Sequence, residues 1–315
     1  MLWNRSRAYS RTQKPSDREA LINSTHTRQG ISFIVIGLII AALNGAFMKL
    51  LTQDLSVFQI TWFRFFGFAL IMLPIVLHRF GRSALRPARP GIQFFRGLSM
   101  ATGTIAFVAG VQTVDFADSI AILYAYPFLL ILLAVMFLGE RVQRIVWFGV
   151  VGGFLGVLLV MRPEFRTINM GTLYVFLSAL IVSIQMALNS KLGNLSHPLI
   201  TSFWGAVIAT CVLFFFLPFY WQPVSADLLW LIGLMIICGA SSQTLIVYSF
   251  TKATASTLAP FTYFEIISAV AIGYFMFGTL PVWMSWVGIL LITVSGLMVA
   301  RSLPGRNPPQ RQAKI

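Results

Sequence analysis

Apolar runs of about twenty residues, each closed by a short polar break, recur ten times along this chain. They centre on 30–51, 57–77, 92–113, 119–138, 142–161, 169–190, 198–218, 227–250, 254–277 and 281–301. About twenty apolar residues rising 1.5 Å each cross a hydrocarbon core about 30 Å thick. The pattern therefore predicts ten transmembrane helices joined by short linkers, with no soluble domain between them. Residues 1–29 are polar and basic, and 302–315 are rich in Pro, Arg and Gln, which predicts unstructured tails at both ends. The stretch before the first run lacks the apolar core of a cleaved signal peptide, so the first helix is expected to serve as an uncleaved insertion signal.

Composition agrees with a membrane interior. Of the 315 residues 57% are hydrophobic and 10% charged, where a soluble chain carries about 25% charged residues. The distribution of Lys and Arg then sets orientation. With the N-terminus in the cytoplasm, the inner segments hold Arg5, Arg7, Arg11, Lys14, Arg18 and Arg28, then Arg79, Arg82, Arg86 and Arg89, then Arg141, Arg144, Lys191 and Lys252. Arg301, Arg306, Arg311 and Lys314 complete that side. Only Arg162 and Arg166 fall outside, while Lys49, Arg64 and Arg96 lie within helices. Such a bias predicts a multi-pass protein of an inner (plasma) membrane with both termini cytoplasmic. Basic loops against an anionic leaflet also account for the net charge of +14. A nucleic-acid partner would need a soluble basic surface, which the pattern does not provide.

Catalytic signatures are missing from the sequence. His26, His78 and His197 have no ligand partner at metal spacing. No GxSxG, HExxH or clustered carboxylates occur, Cys211 and Cys238 are isolated within apolar runs, and no ATP-binding segment is present. These features argue against an enzyme and call for no metal and no cofactor. Rings of charge or a filter sequence, which a channel would need, are also missing.

The runs repeat. A shift of 139 lays Tyr124 on Tyr263, Gly139 on Gly278, Trp147 on Trp286 and Gly149 on Gly288, and a shift of 141 lays Gly30 on Gly171 and Asn44 on Gln185. Five helices per half is an odd number, so the second half must enter the membrane upside down. The predicted fold is all-α and integral to the membrane, two inverted five-helix repeats over 30–161 and 169–301, which is a secondary-transporter design. Gly149, Gly152, Gly153 and Gly156 form overlapping GxxxG spacings, suited to close helix packing within the fold or across a homodimer. Glu140 with Arg141 and Arg144 reads as a turn salt bridge of little energy. Trp147, Trp221, Trp230, Trp283 and Trp286 fall at predicted interfaces and read as an aromatic belt.

The first half ends PFLLILLAVMFLGERV, with its Gly139-Glu140 pair, and the second carries the weaker copy IISAVAIGYFMFGTLP. With the ten-helix pattern these resemble the EamA-type members of the drug/metabolite transporter superfamily over roughly 30–301. FRFF around Arg64, FRGL around Arg96 and PFTYFEIISA around Glu265 resemble the branch that includes S-adenosylmethionine carriers; riboflavin carriers belong to the same superfamily. The resemblance implies a carrier of a small metabolite. Gly278-Thr279 departs from the duplicated Gly-Glu, so Glu140 is not expected to have a functional twin.

The first candidate for a binding site is Glu265, a carboxylate near the middle of an otherwise uncharged run. Intramembrane ionisable groups face cavities and are functional by default. Phe261, Thr262, Ser268 and Ala269 share its helical face. Its counterpart under the 139 shift is Tyr126, beside Pro127, so the two suggest one shared cavity. Arg64, about 10 Å inside helix 2, is either an interfacial anchor that snorkels or a functional group that binds a substrate carboxylate or phosphate or pairs with an acid. Arg96, close to the basic loop, reads as a snorkelling residue, and Lys49 as interfacial. Asn44 and Gln185, at related positions, and Gln243, in the polar run Ser241–Thr244, are candidates for hydrogen bonds to substrate. Tyr124 and Tyr263 offer rings for stacking or for packing. The expected cargo is a small polar or zwitterionic metabolite, S-adenosylmethionine being one fit and riboflavin or an amine others. Glu265 would hold a substrate cation or a coupling proton, and transport would be driven by a gradient or by exchange.

Overall fold

In a computed structural model the described residues are 15–138, 142–161, 169–192 and 195–302, with side chains described from 27 onward except at 138, 255 and 256. The Gly139-Glu140 pair, Arg141 and the outer-loop arginines lie outside them. Thirteen α-helices follow in order: α1 (Pro15–Leu51), α2 (Val57–Phe80), α3 (Pro90–Val111), α4 (Phe116–Leu123), α5 (Tyr126–Leu138), α6 (Arg144–Met161), α7 (Met170–Leu192), α8 (Pro198–Phe214), α9 (Leu217–Tyr220), α10 (Ala226–Lys252), α11 (Ala255–Thr262), α12 (Phe264–Phe277) and α13 (Trp283–Ser302). Among the described residues nine spans are long and apolar enough to cross a membrane, counting α4 with α5 and α11 with α12 as one each; α8 is a shorter apolar helix of 17 residues. The polar stretch from Pro15 to 29 is helix, continuous with the first span, rather than the tail expected there.

Helix pairings reveal the symmetry. The most extensive partner of α1 is α10, and that of α3 is α7; α6 pairs with α13 and α2 with α8. If the five spans of the first half are laid in order on the five apolar spans of the second, the short α9 left out, each pairing maps onto another in the set or onto itself. The first helix of either half lies on the third transmembrane span of the other, so the halves interlock rather than sit side by side. Successive crossings put the segment 79–89, Lys191, Lys252 and Arg301 on one face of the bundle, called here the basic face.

The glycines of α6 act within the chain. A Cβ on Gly156 would lie 2.7 Å from the Gly288 carbonyl oxygen on α13, and one on Gly288 would lie 2.6 Å from that of Gly156. Gly149 meets Val299 and the Ser295 carbonyl, and Gly152 the Ser295 hydroxyl. Gly153 lies instead against the Phe128 ring of α5, so the GxxxG spacings are absorbed within the chain, by close backbone approach to α13 and by the packing of that ring. All five candidate belt tryptophans are exposed on the bundle surface.

Two spans are broken at related places. The helix expected over 119–138 stops at Leu123 and restarts at Tyr126, and the one expected over 254–277 stops at Thr262 and restarts at Phe264. Under the 139 shift Tyr124 falls on Tyr263, so the breaks coincide. Pro127 accounts for the first: it has no N–H to return to Leu123, and it stands in the first turn of the new helix, where proline is tolerated. Ile266 stands at the corresponding position of the second half, where the proline, Pro260, lies in α11 three residues before the turn instead.

Candidate functional site

The breaks relocate Glu265. Instead of sitting mid-helix it lies in the first turn of α12, two residues past the turn at Tyr263, where backbone N–H groups and the helix dipole favour negative charge. Phe261 and Thr262 belong to the preceding helix, α11. The Tyr124 hydroxyl, at the matching break, donates to Glu265 Oε2 at 2.9 Å and to the Thr262 carbonyl oxygen at 2.5 Å. A hydroxyl has one proton for these two acceptors, so only one of them holds it at a time. The two broken spans meet at this network.

Glu265 lines a cavity of about 500 Å³. Its walls come from both halves: α1, α2, α3 and α4 on one side, and α7, α8, α10 and α12 on the other. Arg64, Asn44, Gln185 and Gln243 line it with Glu265. At one end stand Met48, Arg64, Phe107 and Ile120; at the other Leu192, Ser196, Pro198 and Phe250, which lie at helix ends on the basic face. The opposite face is sealed. Gln59, fully buried, exchanges two hydrogen bonds with the Gln222 backbone at 2.9 and 3.0 Å. Lys49 donates to the Val114 carbonyl at 2.6 Å and lies over the Phe277 ring, so it closes this end rather than only marking an interface. Phe116, fully buried, packs behind Gly45 as a floor.

The wall residues differ in how free they are. Asn44 is buried and its amide donates to the Met235 carbonyl at 2.6 Å, tying α1 to α10. The Gln243 amide reaches Ser202 Oγ at 3.4 Å. Arg64 Nη1 reaches Met48 Sδ at 3.4 Å, and its guanidinium lies 5.6 Å from the Phe65 ring; it faces the cavity rather than the outer interface. Tyr126 and Tyr263 do not line the cavity. Their rings lie 5.9 and 5.4 Å from that of Tyr124, forming a layer behind Glu265, and Tyr263 presses its hydroxyl onto Gly296.

Arg96 is the main correction. It is 3% exposed, borders the cavity, and donates through Nε to the Asn189 side chain and through Nη1 to the Thr201 carbonyl at 2.6 Å. It does not snorkel. Depth along a helix suggested that it would, but partners on α7 and α8, distant in sequence, hold it inward. Asn189 has no sequence signal pointing to it. Asp118, 4% exposed on α4, is a further carboxylate in the interior that the apolar pattern hid, because it is the third residue of the helix and falls just before the run expected over 119–138.

The sequence profile of the EamA-like transporter family matches twice, over residues 28–162 and 169–301. The chain belongs to the EamA-like transporter family. It is similar to the S-adenosylmethionine uptake transporter of Rickettsia prowazekii, 26% identical over 256 residues that cover 80% of this chain and 85% of that one. It is also similar to the riboflavin transporter of Rhizobium johnstonii, 27% identical over 250 residues that cover 75% and 79% of the two chains. A solved crystal structure at 15% identity superposes with a TM-score of 0.60 over 88% of this chain and 98% of the other, a likeness of fold. The protein is thus a multi-pass membrane transporter for a small molecule, and its family and relatives are transporters rather than enzymes.

In this transporter the Tyr124 hydroxyl is expected to matter through Glu265. Tyr124→Phe keeps the ring and removes the bond. Hydrogen bonds to charged groups contribute about 1.5–3 kcal/mol, so a tenfold or greater fall in uptake by reconstituted vesicles is expected. A Phe variant with wild-type uptake would show the hydroxyl to be idle.

Proposed function

We propose that the protein is a secondary carrier that moves a small polar or zwitterionic metabolite by alternating access, with S-adenosylmethionine-like molecules as the first substrate class. The observation that carries this reading is Glu265, placed at a helix break on the wall of a cavity built by both halves. Carriers with internal repeats put their sites at the repeat interface, on interrupted helices near mid-depth. In this reading Glu265 receives a substrate cation or a coupling proton, Arg64 an anionic group, and Asn44, Gln185 and Gln243 set orientation. The halves 30–161 and 169–301 rock about the cavity.

With the basic face cytoplasmic, in an inner (plasma) membrane, the present form is open inward. The Rickettsia relative supports S-adenosylmethionine and the Rhizobium relative supports riboflavin. Purified protein in liposomes, loaded with one unlabelled metabolite and offered the labelled one outside, should show saturable, trans-stimulated counterflow of S-adenosylmethionine. Riboflavin and amines form the rest of the panel. Absence of counterflow across the whole panel would remove the carrier reading for these substrates. Tags at either terminus should be digested only after spheroplasts are opened; digestion from outside would reverse the orientation.

A further inference from the structure

Arg96 has donors to spare. A guanidinium carries five N–H groups. One, on Nε, is taken by Asn189 and one, on Nη1, by the Thr201 carbonyl. The second on Nη1 and both on Nη2 have no partner among the described residues. No described carboxylate pairs with Arg96, and Glu265 is the only acid among the described residues of the cavity wall. A buried cation whose protein partners are all neutral is costly, commonly by several kcal/mol, unless an anion joins it.

The surroundings hold the group in place. Asn189 on α7 and Thr201 on α8 fix two edges of the plane. Gly205, one turn further along α8, gives Nη1 room, since a Cβ there would fall on that nitrogen. Arg96 stands six residues from the basic-face end of α3, and Arg64 seven from the opposite end of α2. At 1.5 Å per residue across a core of about 30 Å, the two lie on the order of 10 Å apart along the bundle axis, with Glu265 between them. Two arginines against one carboxylate leave the wall with excess positive charge when Glu265 is ionised, and more when it is not.

We propose that Arg96, oriented by Asn189, is an anion-binding site at the basic-face end of the cavity, taking a carboxylate or phosphate of a substrate whose far end reaches Glu265. The proposal rests on the carrier reading for its setting, and its test does not require transport. Full-length protein in detergent is titrated with two pairs of probes that differ by one anion: S-adenosylmethionine against its decarboxylated form, and riboflavin 5′-phosphate against riboflavin. In at least one pair the anionic member is expected to bind wild type about tenfold or more tightly, the worth of a charge-assisted hydrogen bond.

Preference in the first pair identifies a carboxylate ligand and in the second a phosphate. Arg96→Gln should bring the members of that pair to within about twofold, while Gly233→Ala, remote from the cavity, leaves the preference intact. Asn189→Ala keeps the charge and frees its plane, and should weaken the preference several-fold even if Arg96→Gln fails to fold. No anion preference in either pair, or a preference unchanged in both variants, overturns the proposal. Loss of counterflow with the Arg96-dependent preference intact would count against the carrier reading alone.

Discussion

Glu265→Gln, folded and inserted, is expected to lower counterflow of the native substrate by about 10- to 100-fold. Gln is nearly isosteric and still accepts the Tyr124 hydroxyl, so the packing of α12 should survive; what is lost is a charge that a cation or proton can titrate. A hydrogen bond to a charged group contributes about 1.5–3 kcal/mol, and each 1.4 kcal/mol is a factor of ten. The measurement is initial uptake into proteoliposomes at equal protein, repeated at several external pH values. Wild-type rates at every pH would remove Glu265 from the mechanism. A Gln variant that exchanges substrate yet no longer concentrates it under a pH gradient would assign the carboxylate to the proton rather than to the cargo.

Gly156→Ala should cost the fold more than a methyl group added at Gly149 or Gly152, the other α6 glycines that face α13. The new Cβ would lie 2.7 Å from the Gly288 carbonyl oxygen and 3.0 Å from the Ile292 backbone nitrogen. These are main-chain atoms, so relief requires α6 and α13 to separate rather than one side chain to turn. Overpacking of this kind costs about 1–3 kcal/mol, which lowers the thermal midpoint of the solubilised protein by several degrees. Gly233→Ala on α10 is the matched control, since nothing lies within 4 Å of its added Cβ. Equal midpoints for the two variants would show that the α6–α13 contact tolerates the wider spacing.

The membrane spans were readable because a helix crossing lipid must be apolar along its whole length, so the signal accumulates over twenty residues. The breaks in two of those spans were not, since a single turn residue such as Tyr124 or Tyr263 leaves the apolar run uninterrupted, and Pro127 and Pro260 hint at an irregularity without fixing where the helix stops. Glu265 stood out for the same reason the spans did: one charge in an uncharged run is conspicuous. Repeat symmetry related Tyr126 to Glu265 and gave both the same depth. It carried no information on which way each helix is turned, and Tyr126 and Tyr263 lie behind the wall that Glu265 joins. Arg96 was misjudged on the same ground. Its distance from the loop is local information, whereas Asn189 and Thr201, which hold it inward, are about one hundred residues away.

The interlocked pairing of helices has a consequence for biosynthesis. While the ribosome is still making α6, α1 and α3 are already in the bilayer without their principal partners, because those partners are α10 and α7. The N-terminal half therefore cannot finish folding as a unit in the order it is made, as domains ordinarily do. Its polar positions wait in lipid: Asn44 has no Met235 carbonyl to bond, and Arg96 no Asn189, until the C-terminal half arrives. The groups that shape the cavity in the finished protein are the ones left most exposed to hydrocarbon during its assembly.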